Sequence, residues 1–398
     1  MSLFLDHGGP RFPQIIHVNQ PNIASREKFM SFVNDILDSR WLTNDGPYVR
    51  QLEQLVAAHH DVRHCVAVCN GTIALQLAIR ALDLKGEVIL PSFTFVATAH
   101  ALEWQGITPV FCDVDPDTLT MDPHRAEELI SDRTSALLPV HLFSNACDTE
   151  AIENLARRRN LQVLYDAAHC FGSSFQGRKF GGFGHAEIFS FHATKIFNTF
   201  EGGAVLTDDD ELASRLRLMR NFGFTGYDRV DHIGTNAKLA EIPAAQGCAL
   251  MDDVPGLILH NMENRSIYLN ELSSIPGITL FPFRPGLESN GQYAVIFVDE
   301  ARFGLSRDLL YDALWEENVR ARRYFSPGCH RMEPYASSAR FRKGDLSVTE
   351  SRLAEILCLP TGSAVSASTA REISALIREY HERAIEVAAW YRHRPESR

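Results

Sequence analysis

Between residues 48 and 209 the chain alternates short apolar runs with segments of helical periodicity, and this alternation restricts the fold more than any other feature. "HCVAVCN", "GEVILPS", "TPVFCDVD", "SALLPVHLF" and "LQVLYDAAH" read as buried strands. "YVRQLEQLVAAHH", "GTIALQLAIRALDL", "FVATAHALEWQG", "HRAEELI" and "DTEAIENLARRRN" read as helices between or beside them. Strands joined through helices predict a mostly parallel sheet covered by those helices, since parallel neighbours need a long crossover. "DDDELASRLRLMRNFG" is a further helix, acidic in its first turn and basic later, as the helix dipole favours. The basic run Arg157 to Arg159 closes another helix and is read as structural for the same reason.

Residues 239–275 read as a long helical stretch that tolerates Pro. Beyond it, "YAVIFVDE", "SRDLLYDALWEENV", "SVTESRLAEILCLP" and "TAREISALIREYHERAIEVAAWYRH" suggest a smaller α+β unit whose strands suit antiparallel pairing. The expected division is a large α/β domain over 1–262, including the N-terminal segment, and a small α+β domain over 263–398. A chain of 398 residues, 45% hydrophobic and 22% charged, can bury cores of that size.

Charge and cysteine usage remove several classes of function. Acidic residues outnumber basic ones 50 to 39, a formal charge of -11, which opposes a nucleic-acid partner but admits small phosphorylated ligands. The start "MSLFLDHGGPRFPQIIHVNQP" lacks a basic then apolar leader pattern, and no apolar run reaches the roughly 18 residues of a membrane span, so a cytoplasmic protein is expected. The eight cysteines are scattered without a CxxC, which suggests neither disulfides nor a zinc ribbon. His59, His60 and His64 lack a second half-site, and no metal is expected there.

Three short motifs carry chemistry. Asp166 in "VLYDAAHCFG" sits where a strand runs out, the edge at which open α/β sheets bind ligands, although a turn or helix-capping aspartate would look the same. "CNGTIAL" runs a turn into a helix, offering backbone N–H groups, a positive dipole end and the Thr72 hydroxyl to a phosphate; alone it is also an ordinary Asn-Gly turn. Lys195 in "FSFHATKIFNTFEGG" lies among Phe189, Phe191, Ile196, Phe197 and Phe200, and a desolvated lysine is a usable nucleophile where a solvated turn lysine is not. A Schiff-base lysine, a carboxylate for a pyridinium nitrogen and a phosphate cradle together describe a pyridoxal 5'-phosphate site.

In order and content, "NGTIAL", "LPSFTFVATAHAL", "PVHLF", "YDAAHCFG", "SFHATKIFNTFEGGAVLTDD", "GTNAKLAEIPAAQG" and "ARRYFSPGCHRMEPY" resemble the DegT/StrS-type nucleotide-sugar aminotransferases. The resemblance implies the fold-type I architecture of aspartate aminotransferase, working as a homodimer with shared active sites. It implies that Lys195 binds pyridoxal 5'-phosphate covalently, Asp166 pairs with the ring nitrogen, and Gly71, Thr72 and Ser190 hold the phosphate. Phe95 matches the residue stacked on the ring, His169 one beside the ring, and Asn236 one reaching the phosphate from the other subunit. L-Glutamate would leave as 2-oxoglutarate with pyridoxamine 5'-phosphate formed between the half-reactions, and a nucleotide-linked keto sugar would receive the amine. The motifs are most similar to enzymes acting on dTDP-linked 4-keto-6-deoxyhexoses, with 3-keto substrates the alternative. Relatives that dehydrate sugars carry histidine in place of the lysine, and His192 is not at that position. A relative that has lost catalysis is opposed by the intact Lys195, Asp166 and Ser190. Arg320, Arg322 and Arg323 are candidates for the sugar diphosphate, equally readable as surface arginines, and Tyr324 and His330 for the sugar.

Overall fold

The structure, a computed structural model, describes residues 9–393. The leader-free reading of residues 1–8 falls outside that range. Seven strands of the expected sheet are β1 (His64–Val68), β2 (Glu87–Pro91), β3 (Thr108–Cys112), β4 (Thr134–Leu137), β5 (Gln162–Asp166), β6 (Ala186–Ser190) and β7 (Gly203–Thr207). The smaller sheet comprises β8 (Ile278–Leu280), β9 (Ala294–Val298) and β11 (Ile356–Leu359), while β10 (Arg342–Lys343) joins the large one. The large sheet runs β10-β3-β2-β4-β5-β6-β7-β1. All its neighbours are parallel except β7, which runs antiparallel to both β6 and β1.

Strand side chains alternate between two cores, as a period of two requires. Cys65, Ala67, Val163 and Tyr165 enter one, and Val66, Val68, Leu164 and Ile188 the other, with helices closing both faces. This double burial is why the strands read as apolar runs without alternation. The small sheet is antiparallel, ordered β8-β9-β11, and packs on helices Val254–Leu272 and Ala367–Glu382 around a third core.

Three departures from the sequence reading have local causes. "SALLPVHLF" does not continue as one strand: β4 ends at Leu137, and Leu142–Ser144 forms a short 3-10 turn with Phe143 at φ 53°. Pro139 has no N–H for a ladder, and it is its carbonyl that receives Asp166 N at 2.9 Å. The N-terminal segment, expected with the large domain, divides: residues 11–17 pack on the small one, whereas Ala24, Phe29 and Phe32 pack on the large core. Ile16–His17 pairs with Val319–Arg320, Phe12 lies in the third core, and Arg11 meets Glu379 at 2.7 Å. The chain also returns late to the large sheet through β10. Residue 262 falls inside the helix Val254–Leu272, whose Val254 end enters the large core and whose Tyr268 and Leu272 enter the small one.

Helix Pro47–His60 begins at Gly46, which has no side chain to cap it, and Glu241 does so from a distance. Its buried carboxylate accepts Tyr48 N at 2.8 Å and Val49 N at 3.0 Å. A Cβ on Gly46 would press on that carboxyl carbon at 2.5 Å, so the glycine serves close approach. Glu241→Ala is expected to cost about 2 kcal/mol, because it strands one buried and one half-buried N–H group and removes a carboxylate from a helix start. A lowered urea midpoint with an unchanged slope is the expected reading.

Candidate active site

The carboxyl ends of β1, β2, β5 and β6 open on one cavity of about 920 Å³, lined by Gly71, Thr72, Phe95, Asp166, His169, Ser190 and Lys195 among others. Strand ends leave backbone groups and side chains unpaired at this edge, as the sheet topology foretold.

At one end, helix Gly71–Ala81 starts against β6. Asn70 takes Ile73 N on its side-chain oxygen at 2.8 Å, and its carbonyl takes Ala74 N. The N–H groups of Gly71 and Thr72 are thus left at the cavity wall beside the Ser190 hydroxyl. A Cβ on Gly71 would come within 3.0 Å of Ser190 Cβ, so glycine keeps this cradle open. Gly203 matters in the same way. Neither glycine of "EGG" has a positive φ, but a Cβ on Gly203 would strike the Asn70 carbonyl carbon at 2.6 Å. Close approach of strand and helix start, rather than a tight turn, is what requires it.

The buried Asp166 carboxylate accepts Thr98 Oγ1 at 2.9 Å and Ala168 N at 3.1 Å. Burial pushes its pKa up, while Ala168 N–H, the Thr98 hydroxyl and the Lys195 charge hold it back. Thr98→Val removes one of these restraints. The acid limb of the kcat/KM profile is therefore expected to move to higher pH, by about one unit, with little change on the alkaline side.

Lys195 lies in an irregular loop, and its Nζ donates to Tyr293 Oη at 3.3 Å. Desolvation lowers its pKa to about 8 against the opposing pull of Asp166. Its aromatic sequence neighbours do not form its walls, although His192 and Thr194 line the cavity beside it. Phe191 and Phe197 turn into the core, where Phe197 stacks on Phe171 at 4.1 Å, and Phe200 sits edge-on to Phe29. The amine is screened instead by Tyr293 and the rest of the cavity. Since an amine attacks as its free base, the rate at which the cofactor-free protein captures an aldehyde should rise about tenfold per pH unit up to about 8 and level off above it. Stopped-flow absorbance would read this. An unperturbed lysine would keep rising towards pH ~10.4.

His169 is buried, and burial drives its pKa well down. Its Nδ1 accepts Phe143 N at 3.1 Å, which places the proton of the neutral ring on Nε2. Phe95 stands exposed at the mouth, 6.0 Å from the Phe325 ring. Arg320, Arg322 and Tyr324 also line the cavity. Arg320 lies over Trp315 at 4.4 Å, and Arg322 is fixed through backbone bonds to Cys358.

Two proposed residues and one further candidate lie elsewhere. Arg323 is tied to Asp308 at 2.6 Å and does not line the cavity. His330 is buried outside it, with Nδ1 2.6 Å from Ser92 Oγ and Nε2 3.1 Å from Glu350, so it braces the loop that carries Tyr324. Asn236 is exposed, bridged to Asn221 and absent from this chain's cavity. Conversely, Thr98, Tyr293 and the segment His17–Pro21 line the site without having been singled out. Thr98 lay inside "SFTFVATAH", one helical turn past Phe95. Tyr293 and His17–Pro21 carry no local signal, because they arrive from the small unit.

The profile of the DegT/DnrJ/EryC1/StrS aminotransferase family matches residues 24–378. The chain belongs to that family. Among its relatives, the dTDP-4-amino-4,6-dideoxy-D-glucose transaminase of Shigella dysenteriae is 37% identical over 92% of this chain and 98% of its own. The GDP-perosamine synthase of Caulobacter vibrioides is 33% identical over 91% and 97%. Crystallised DesI, solved in the presence of its TDP-sugar product, superposes with a TM-score of 0.93 at 43% identity, covering 97% of this chain and 98% of that one. Membership in this aminotransferase family agrees with an amine, a buried carboxylate and an anion cradle in one cavity. Among the described residues no helix is long and apolar enough to cross a membrane.

Proposed function

We propose that this protein transfers an amino group from L-glutamate to the C4 ketone of a nucleotide-linked, dTDP-carried 4-keto-6-deoxyhexose, giving a 4-amino-4,6-dideoxy sugar. The observation that carries the reading is end-to-end similarity to the Shigella transaminase in a chain whose cavity holds Lys195 opposite Asp166.

The cofactor is pyridoxal 5'-phosphate, and the residues present fit it. Gly71 and Thr72 N–H groups with the Thr72 and Ser190 hydroxyls suit its phosphate, and Asp166 suits its ring nitrogen. Bound there, it supplies an electron sink for carbanionic charge. Asp166 would hold a proton on the ring nitrogen, Phe95 would lie against the ring, and neutral His169 would present Nε2–H without adding charge. Lys195 would provide the attachment amine and, as a free amine, would take up a proton as base and return it as acid. Arg320 and Arg322 suit the diphosphate and Tyr324 the sugar.

The working unit is a homodimer. Phe222, Phe224, Tyr227, Val230 and Ile233 stand exposed on one projecting hairpin region, which leads into the exposed Asn236. That arrangement suits delivery of Asn236 to the partner's phosphate. Mixing the inactive Lys195→Ala chain with Asn236→Ala should then restore activity through hybrid dimers, and no restoration would sink the shared site.

For the substrate, the protein would be incubated with glutamate and either dTDP-4-keto-6-deoxyglucose, its 3-keto isomer or the GDP-linked 4-keto sugar. NMR would locate the new amine. The 33% identity to GDP-perosamine synthase makes the guanosine carrier the second reading. Amine at C3, or none on any sugar, removes the 4-keto proposal.

A further inference from the structure

Lys195 belongs to a stretch with no regular secondary structure, residues 191–201, so no ladder fixes its backbone. The two peptide groups that flank it are nonetheless bonded. Gln292 accepts Ile196 N on Oε1 at 3.1 Å and donates Nε2–H to the Thr194 carbonyl at 3.2 Å. One buried amide therefore spans the lysine like a single β-bridge, and only one orientation of its O and N satisfies both partners. Asn22 adds a third tie, its Nδ2 donating to the Ile196 carbonyl at 2.9 Å.

The clamp is itself held. Gln292 N donates to Asn290 Oδ1 at 3.0 Å, and Asn290 Nδ2 donates to the carbonyls of His169 and Phe171 at 2.8 and 3.0 Å. Next along the chain, Tyr293 receives the Lys195 amine, and β9 of the small sheet begins at Ala294. Backbone hold, amine contact and the His169 tie thus come from three residues, Asn290, Gln292 and Tyr293, within one four-residue stretch at the junction of the two units.

We propose that Gln292 is a positioning residue for the reaction, fixing the backbone on both sides of Lys195 so that its amine points at the reacting centre. A buried glutamine must find partners somewhere. What marks this one is that its partners are the two groups bracketing the reactive side chain, where sub-ångström placement governs rate. The inference rests on Lys195 being the cofactor-binding amine.

Gln292→Met keeps the length and volume of the side chain and removes both bonds. Expected are a fall in kcat of about tenfold or more with KM for glutamate and sugar within about twofold, because ground-state binding is untouched. The cofactor-free variant should also capture pyridoxal 5'-phosphate more slowly by a similar factor, read by absorbance without any substrate. Gln292→Glu retains the acceptor for Ile196 N but not the donor, and should fall between the two. Wild-type capture and kcat in Gln292→Met, or a raised KM at unchanged kcat, overturns the proposal. If the methionine variant melts well below the wild type, wild-type capture by Gln292→Glu overturns it equally. A Lys195→Ala control separates the premise: cofactor still fixed by borohydride in that variant removes the lysine assignment, whereas an inert Lys195→Ala beside an unaffected Gln292→Met removes only this inference.

Discussion

Lys195→Ala is expected to lower kcat by on the order of 10⁴-fold or more, the scale seen when a covalent centre is deleted. In the proposed reaction the amine has two tasks, attachment and proton carriage between carbons, and among the described residues no other lysine lines the cavity. His192 also lines the cavity, but its ring is engaged by neighbours, with Nδ1 2.8 Å from Thr194 Oγ1 and Nε2 3.6 Å from Glu201. Borohydride should fix the cofactor to the wild type and not to the variant. Stability should move the other way. Burial holds the Lys195 pKa near 8, below that of the unfolded chain, so the charged form destabilises the fold at neutral pH and that cost fades as pH rises beyond about 8. Below pH ~8 the cofactor-free alanine variant should melt at or above the wild type. Full turnover in the variant would end the mechanism, and a lowered melting point would show that the amine has stabilising partners that outweigh its desolvation.

Asp166→Asn is expected to reduce kcat by roughly 10²–10⁴, the equivalent of removing one partner of a buried charged pair. The shape of the side chain survives, so loss of rate would follow from charge. Thr98 Oγ1 and Ala168 N both donate to this carboxylate, and the asparagine amide can accept only one of them without turning its NH₂ towards the other. The cofactor should consequently bind more weakly as well, and titration of the cofactor-free variant measures that independently of turnover. Activity within about tenfold of the wild type would remove Asp166 as the group that keeps the ring nitrogen protonated.

Much of the fold was legible because it rests on local chemistry. The strands β1 to β5 and their helices announced themselves as apolar runs and 3.6-residue periods, and sheet topology then sent Asp166, Ser190 and the Gly71–Thr72 turn to one edge. Short elements were not legible in this way. The Ile16–His17 and Arg342–Lys343 strands each offer two residues to a pattern, too few to show a period. The aromatic run around Lys195 suggests walls for the amine, but Phe189, Phe191, Ile196 and Phe197 enter the core below it and Phe200 lies against Phe29.

The sequence by itself determined the βα architecture and the reactive groups, since periodicity, a strand-end carboxylate, a turn entering a helix and one lysine are properties of short stretches. Tertiary structure alone decided how those groups are tuned and held. Thr98 on Asp166, Tyr293 on the Lys195 amine and Gln292 astride its backbone are 68, 98 and 96–98 residues from what they touch. The first arises from folding the large unit on itself and the other two from packing the small unit against it, and neither leaves a periodic trace along the chain.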